Sequence, residues 1–487
     1  MTDGRRQVRP GVTLALLSVV CVSYVLQQTL VVPALPTIQR DLDTTTTWTT
    51  WVFTGFLLAS AVATPLLGKL GDTYGKKRLL MIALAVFAVG TIGAALANSI
   101  ALLIAARALQ GAAGAIFPLA FGIVRDELPP HRVGMGLGLL SATFGVGGGA
   151  GLVLSGVVLE SLPWTWLFWI GAIPVIVSLV LGAFLLPESP IRTPSRVDWQ
   201  GALTLSVGLS ALLVALSEGE HWGWLSAATL GTLLASVVVL CLWVVVELRV
   251  PEPMVDIGMM RDRAVLWTNI VALIAGFAMF GTFLLVPTFV QMGAALPPDL
   301  ATMVTYGFGA SVIVAGLYLL PSSAVMLVVG PVGGILETRV GAKMLTGIGC
   351  VVLGLGGVML SIAHDSAVEI VIAMALVGTG VGLVYAMLAK LIVDSVPREV
   401  TGVAMGMNTV MRTIGGVIGG QVGAALLSAM TISGTPDIPE ERAFTITFLV
   451  AGAAALIGAL ATLRIPGRTA PAHTPAAIRL APQTPRG

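Results

Sequence analysis

Fourteen long apolar runs, separated by short polar stretches, dominate the hydrophobic pattern of this chain. They lie at about 12–35, 48–68, 79–97, 100–124, 133–158, 164–186, 199–217, 225–247, 264–290, 302–332, 343–362, 367–393, 400–430 and 443–463. A membrane-spanning helix needs about 20 predominantly apolar residues. The pattern therefore predicts an all-α membrane protein with 14 transmembrane helices.

Composition supports this class. Hydrophobic residues make up 56% of the 487 residues and charged residues 10%, and the mean hydropathy is +0.97, whereas soluble domains have about 25% charged residues. The net charge of +2 gives no reason to expect a nucleic-acid partner. Arg5, Arg6 and Arg9 precede the first run as in a signal peptide, but that run continues to about Leu35 with no small-residue cleavage site after it. We interpret it as a retained first helix.

The distribution of basic residues predicts the orientation. If both termini are cytoplasmic, 22 of the 26 Lys and Arg residues lie in cytoplasmic segments, as the positive-inside rule requires. Arg40 and Arg442 lie on the opposite side, and Arg107 and Arg412 lie within helices. We therefore expect a multi-pass protein of the cytoplasmic membrane with both termini inside.

An internal repeat divides the chain. Pro65, Gly68, Leu70, Gly75 and Lys77 recur 266 positions later as Pro331, Gly334, Leu336, Gly341 and Lys343, and all five glycines of 402–419 match glycines 268 positions earlier. Repeated halves around a central site are typical of transporters. The predicted organisation is a cytoplasmic N-terminus (1–11), an N-terminal six-helix half (12–190), a two-helix insertion (191–250), a C-terminal six-helix half (251–464) and a disordered cytoplasmic tail (465–487).

The segment GKLGDTYGKKR, from Gly68 to Arg78, is the strongest motif. Its glycines permit a tight turn and close helix approach. Asp72 can accept hydrogen bonds from the first amides of a neighbouring helix, and the basic residues can hold the loop at the cytoplasmic surface. We expect a gating loop formed by Gly68, Asp72, Gly75, Lys76, Lys77 and Arg78; the alternative is a basic loop that only sets topology.

This motif resembles the signature loop of the major facilitator superfamily. Four further stretches resemble its fourteen-helix drug–proton antiporters of the QacA/EmrB type: VDWQGALTLSVGLSALLVALSEGEHWGW, PWTWLFWI, ALQGAAGA and MNTVMRTIGGVIGG. The resemblance implies a major-facilitator fold of two six-helix bundles with a two-helix central insertion. It also implies export of drug-like molecules in exchange for protons.

The first helix departs from the family pattern. Gln27 stands where the family has an aspartate, and Val32 replaces an asparagine. The fifth helix departs as well, because Gly151 is followed by Leu152 rather than proline. An aspartate in a low-dielectric cavity can exchange a proton, whereas glutamine has none to exchange. The stripe Tyr24, Gln27, Gln28 and Val31 follows helical spacing and is expected to face a cavity; alternatively, the glutamines hydrogen-bond to a neighbouring helix.

A central substrate cavity is expected between the halves. Its predicted apolar and aromatic walls include Phe144, Phe280 and Tyr306, and its predicted polar contacts include Tyr24, Gln27, Gln28, Arg107, Asn269, Asn408 and Arg412. Two embedded arginines without embedded acids favour an anionic or strongly hydrogen-bonding substrate. Alternatively, carbonyls and amides, including Asn408, satisfy both arginines.

Metal and enzyme chemistry find no support in the sequence. The three cysteines lie in apolar runs, and the four histidines lie in predicted loops or the tail. We expect no metal, no cofactor and no catalytic residue. The predicted protein is a monomeric secondary transporter that exports amphipathic small molecules by alternating access, with protons as the coupling ion. Alternatives are an uncoupled facilitator, an exporter of an anionic or lipid-like metabolite, and a non-transporting membrane sensor.

Overall fold

A computed structural model describes residues 10–189, 198–293, 304–432, 435 and 438–467. In this part of the chain the regular elements are helices. They are α1 Pro10–Thr29, α2 Leu35–Asp41, α3 Thr46–Tyr74, α4 Lys76–Ala95, α5 Ile100–Gly111, α6 Ile116–Glu127, α7 Pro130–Ser161, α8 Thr165–Leu185, α9 Trp199–Trp222, α10 Ala227–Glu247, α11 Ile257–Arg261, α12 Arg263–Gln291, α13 Val312–Leu317, α14 Leu320–Val340, α15 Ala342–Ile362, α16 Ala367–Ser395, α17 Thr401–Ala429 and α18 Glu441–Thr462, with 3-10 turns at Val32–Ala34 and Arg398–Val400.

The prediction of fourteen spans is confirmed within the described residues. Three spans are interrupted helices, because α1 with α2, α5 with α6, and α13 with α14 each cross as one unit (Pro10–Asp41, Ile100–Glu127 and Val312–Val340). The predicted insertion boundary near 190 and most of the two predicted terminal segments lie outside the described residues.

Local sequence explains where several helices begin. Ser99, Ser226 and Asp198 each accept a hydrogen bond from a first-turn amide, which satisfies one of the donors that a helix start leaves open. Ser366 and Glu369 form a reciprocal capping box at the start of α16. These caps help to set the helix starts.

One prediction about the motif is wrong. Asp72 lies in the last turn of α3 and Lys76 opens α4, so the expected loop is reduced to Gly75. Gly75 has φ 109°, a left-handed conformation that glycine adopts without steric cost. We call the face that contains Gly75 the inner face, and the opposite face the outer face.

Two seams join the halves. In one, α3 packs on α17, and in the other α7 packs on α14. The insertion, α9 and α10, covers the first seam, because Leu205 and Leu209 of α9 share an apolar cluster with Val403 and Val410 of α17. A cavity between the halves is therefore bounded by these seams.

Candidate functional site

A central cavity of about 290 Å³ lies between the halves, close to the lower end of the range of about 300–1,000 Å³ found for small-molecule sites. Its lining is mainly aromatic and hydroxylated. It includes Tyr24, Gln28, Thr50, Phe53, Thr54, Ser60, Phe117, Phe144, Ser217, Met279, Phe280, Tyr385, Thr409, Arg412, Thr413, Gln421 and Ala424. Thr50 and Ala424 lie near the outer ends of α3 and α17, so the cavity extends towards the outer face.

A smaller apolar lobe of about 90 Å³ continues this cavity. Gln28, Phe53, Phe144 and Phe280 line both spaces. A larger depression of about 1,190 Å³ lies elsewhere, at the inner face of the C-terminal half around Lys343 and Lys390. Because residues of the N-terminal half do not line it, that depression does not match a site shared by the two halves.

Arg412 is the charged side chain of the central cavity among the described residues. Its Cζ atom lies 4.2 Å from the ring centroid of Phe144 and 4.4 Å from that of Tyr385. The two rings are nearly perpendicular, at 84°, and form a corner around the guanidinium. Phe117 stacks on the far side of Phe144 with centroids 4.0 Å apart. This corner is built from both halves of the chain.

The Arg412 guanidinium is incompletely compensated. The side chain is 7% exposed, and its contacts within the described residues are the two rings rather than hydrogen bonds or carboxylates. Cation–π contacts contribute about 0.5–2 kcal/mol each, whereas removing a cation from water costs several kcal/mol. An acceptor or an anion in the cavity would offset this cost.

Arg107, by contrast, is satisfied largely inside the N-terminal half. It is fully buried, and its Nε and Nη1 donate to the carbonyl oxygens of Val52 and Gln27 at 3.1 Å each. Nη1 also donates to Gln110 Oε1 at 2.7 Å, and the guanidinium lies 4.4 Å from the Phe56 centroid. The structure therefore places Arg107 in the core and not at the cavity, contrary to expectation. The alternative that carbonyls and amides satisfy the arginines describes Arg107 but not Arg412.

The adjacent glutamines face different surroundings. Gln28 lines the cavity with Tyr24, whereas Gln27 is fully buried and its Nε2 lies 3.5 Å from the Phe168 carbonyl oxygen of α8. Successive side chains on an α-helix point about 100° apart, so neighbouring residues cannot both face one narrow cavity. Placing Gln27 on the cavity-facing stripe was therefore wrong. Gln27 Oε1 and Arg107 Nη2 both lack hydrogen-bond partners within the described residues.

Three more predicted cavity residues lie elsewhere. Asn408 Nδ2 donates to Asn269 Oδ1 at 2.9 Å, so these buried amides bond to each other inside the C-terminal half. Tyr306 packs near the outer face, where its ring stacks on Phe289 at 5.8 Å and its hydroxyl donates to the Pro439 carbonyl oxygen. Buried polar groups in an apolar bundle form hydrogen bonds with other protein groups, and the partners of these three side chains lie outside the cavity.

At the inner face Asp72 joins the two halves. Its Oδ1 accepts from the Gly402 amide and its Oδ2 from the Val403 amide, each at 3.0 Å, at the start of α17. A carboxylate is favourable at a helix N-terminus because the open amides and the helix dipole both attract it. A Cβ on Gly68 would lie 2.6 Å from the Gly402 carbonyl oxygen, so both glycines are needed for this approach.

Lys76 supports Asp72 from inside the protein. It is fully buried, and its Nζ lies 2.7 Å from Asp126 Oδ2 and 3.6 Å from Asp72 Oδ1. Lys77 Nζ donates to the Ala183 carbonyl oxygen, and Arg78 is exposed. The expectation that Lys76 holds the loop at the surface was therefore wrong, because it neutralises two carboxylates below the surface.

Arg125 forms a second inner-face connection that sequence reasoning missed. Its guanidinium donates to the Val396 and Pro397 carbonyl oxygens at 2.7 and 3.1 Å and to the Thr401 hydroxyl. These acceptors lie at the junction of α16 and α17, in the other half. The sequence showed Arg125 only as one more basic residue of a cytoplasmic segment.

Tyr385 and a cluster at the outer face were also missed. Tyr385 is a tyrosine inside an otherwise apolar run, a signal that could have been used. His364, Asp365 and Glu441 bring their ligand-type atoms within 4.8 Å of one another. His364 Nε2 already lies 3.0 Å from Glu441 Oε1 and its Nδ1 lies 2.8 Å from the Leu360 carbonyl oxygen, so this cluster connects α15 to α18.

Two similar helical halves around a cavity that both halves line define a membrane transporter. A sequence model of the Major Facilitator Superfamily matches residues 17–420 and, in a second match, 296–486. The chain belongs to this superfamily, and its relatives support the drug-efflux family within it.

Three relatives carry resistance or export names. The Tetracenomycin C resistance and export protein of Streptomyces glaucescens is 30% identical over 82% of this chain and 72% of its own length. Multidrug resistance protein Stp of Mycobacterium tuberculosis is 30% identical over 84% of this chain and 74% of its own length. Multidrug resistance protein 3 of Bacillus subtilis is 28% identical over 79% of this chain and 73% of its own length. These relatives are transporters and not enzymes.

Solved structures show the same fold. The human organic anion transporter MFSD10 (TETRAN) matches with a TM-score of 0.65 at 15% identity, covering 93% of this chain and 99% of that one. The proton:xylose symporter XylE matches with a TM-score of 0.62 at 12% identity, covering 94% of this chain and 96% of that one. At these identities the match establishes the fold alone.

Proposed function

We propose that this transporter exports amphipathic small molecules across the cytoplasmic membrane by alternating access, in exchange for protons. The observation that carries the proposal is the position of the cavity. It lies between the halves and extends towards the outer face, and on its inner side the halves are joined by the Asp72 contacts with α17. Separating the halves on that side would expose the same cavity to the inner face, which is what alternating access requires. The resistance and export names of the relatives support export as the direction of transport.

Proton exchange needs a titratable group, and among the described residues the central cavity is lined by no Asp or Glu. Five carboxyl groups of the described helices and their caps are buried: those of Asp72, Asp126, Asp198, Glu218 and Glu247. Glu160, a further candidate from the sequence, is exposed. We infer that the proton binds outside the central cavity at one of the five buried carboxylates.

Reconstitution into proteoliposomes tests this function. The purified full chain is reconstituted, and the movement of anionic, neutral and cationic fluorescent dyes is followed with and without an imposed pH gradient. Exchange with protons predicts that the gradient drives accumulation and that a protonophore abolishes it. Movement down the dye gradient alone, unaffected by the protonophore, would instead identify a facilitator. Rates equal to those of protein-free liposomes would support a sensor.

The same assay assigns the proton site. Asn or Gln replacements of the five carboxylates are compared one at a time. The replacement that abolishes gradient-driven accumulation but retains dye exchange marks the coupling residue. Retention of coupling in all five variants would contradict a proton site at these residues.

A further inference from the structure

We propose that the central cavity selects aromatic anions, with Arg412 binding a carboxylate, sulfonate or acidic enol of a fused-ring substrate. This inference rests on the proposed transport function and specifies its substrate class. It starts from the contrast between the two intramembrane arginines. Arg107 donates to three oxygens and lies outside the cavity, whereas Arg412 lines the cavity and has aromatic rings as its partners within the described residues.

The corner geometry leaves the guanidinium available. Phe144 and Tyr385 approach it from two directions, with centroids 5.8 Å apart and planes at 84°. Rings accept no strong N–H hydrogen bonds of the kind a carboxylate accepts. The Asn408 amide, the polar group one helical turn away, is already bonded to Asn269. The N–H groups of Arg412 therefore remain free for an acceptor that enters the cavity.

The cavity lacks a competing anion. Its polar lining among the described residues consists of hydroxyls and amides, such as Ser60, Thr409 and Gln421, and includes no carboxylate. A cationic substrate would meet Arg412 without any negative group to offset the repulsion, which is costly in a low-dielectric site. An anion would instead form a charge-assisted and often bidentate pair with the guanidinium.

The walls favour a flat ring system. Phe53, Phe117, Phe144 and Phe280 surround the space together with Met279, and aromatic and thioether groups pack well against planar aromatic faces. The apolar lobe next to Phe144 and Gly148 extends the room for rings away from Arg412. An acidic group at one end of a fused-ring skeleton matches this arrangement.

A matched probe set tests the inference. Anthracene-2-carboxylate, its neutral isostere anthracene-2-carboxamide, and anthracen-2-ylmethylammonium share one skeleton and differ in charge. Their binding to the purified full chain in nanodiscs is measured by fluorescence titration. We expect the carboxylate to bind about 10- to 100-fold more tightly than the amide, the range that one hydrogen-bonded charge contributes, and the ammonium to bind most weakly.

Two variants localise the effect. Arg412→Gln should lower carboxylate affinity to that of the amide and leave amide affinity within about threefold, because only one charged interaction is removed. Arg442→Gln removes the same charge at an exposed residue and should preserve the preference. Binding of the amide by Arg412→Gln also shows that the variant is folded. If the variant does not fold, the comparison of carboxylate with amide binding by the wild type tests the inference.

Three results would overturn the inference: equal binding of carboxylate and amide by the wild type, a preference that persists in Arg412→Gln, or no binding of any probe. A different result would contradict the proposed transport function. A chain that binds the carboxylate selectively but moves no dye would contradict transport and leave the selectivity intact. Equal export of carboxylate and amide with strong proton dependence would contradict the selectivity alone.

Discussion

The two seams between the halves are built in different ways. The α7–α14 seam is closed along its length by small residues: a Cβ on Gly138 would lie 2.1 Å from the Gly330 carbonyl oxygen, and one on Gly334 would lie 2.1 Å from that of Gly134. Near the outer end of α7, the contact continues onto α13, where a Cβ on Gly156 would lie 2.6 Å from Ile313. The α3–α17 seam is closed only on the inner side of the cavity, and the cavity separates its outer part.

The two seams also differ in their charged contacts. The α3–α17 seam is joined by Asp72 and, beside it, by Arg125, which both reach main-chain groups of the other half. At the corresponding repeat position of α14, Thr338 is exposed and donates to the Ile335 carbonyl oxygen of its own helix. Polar contacts can be exchanged for water when they break, but close backbone packing has no such substitute. We infer that α7–α14 acts as the hinge and α3–α17 as the gate.

The largest expected effect follows from filling the hinge. Gly138→Ala places a methyl group against the Gly330 backbone, so we expect a loss of about 3 kcal/mol, the upper end of overpacking costs. The measurement is thermal unfolding of the detergent-solubilised protein. Gly148→Ala is the matched control on the same helix, because a Cβ there meets nothing within 4 Å. Equal stability of the two variants would show that α7 and α14 can move apart at Gly138 without a loss of stability.

Asp72→Asn should weaken the gate by about 2 kcal/mol, because a charge-assisted pair of hydrogen bonds becomes at best one neutral bond. Spin labels on Tyr74→Cys and Arg398→Cys, in a Cys241→Ser background that removes the exposed native thiol, report the inner-face distance across this seam. We expect a longer distance and transport reduced at least tenfold. Asp394→Asn, a half-exposed carboxylate of the other half, is the control. An unchanged distance would reduce the motif to a topology signal.

Arg125→Gln should have a smaller effect in the same direction, about 1 kcal/mol, since Arg125 is only partly buried and contacts of partly exposed charges contribute less. The spin-label pair should show a minor long-distance population. Arg132→Gln removes the same charge from an exposed inner-face position and should leave the distance unchanged. Identical distance distributions for both variants would exclude Arg125 from the gate.

The smallest effect is expected when the missing carboxylate is added to the second half. Thr338→Asp restores the repeat pattern, but residue 338 is exposed and its neighbours are packed backbone, so we expect less than about 0.5 kcal/mol. Thermal unfolding and dye transport should match the wild type. A clear gain in stability would mean that the hinge also accepts a charged contact, and the two seams would then be alike.

Sequence patterns predicted the scaffold better than the site. Bilayer thickness sets the length of each apolar run, so the number of spans was predicted correctly, and the motif correctly suggested that Asp72 meets a helix N-terminus. The orientation inferred from the basic loops stays a prediction. Five predicted residues, Tyr24, Gln28, Phe144, Phe280 and Arg412, lie at the cavity. Tyr306 lies in the segment before α13, near the outer face, and the other four predicted residues failed for a common reason. Helices that are apolar on all sides carry no stripe to show which polar residue faces the centre, so tertiary contacts placed Gln27, Arg107 and the Asn269–Asn408 pair in the core.

The unpaired atoms beside Gln27 have a genetic consequence. Gln27 Oε1 and Arg107 Nη2 both lack partners among the described residues, and Nη1 of the same guanidinium binds the Gln27 main chain. Glutamate has nearly the same shape as glutamine, and a single base change converts either glutamine codon into a glutamate codon. The resulting carboxylate would belong to the residue whose main-chain oxygen already accepts from the Arg107 guanidinium. A buried carboxylate close to a buried arginine is thus one point mutation away from this gene.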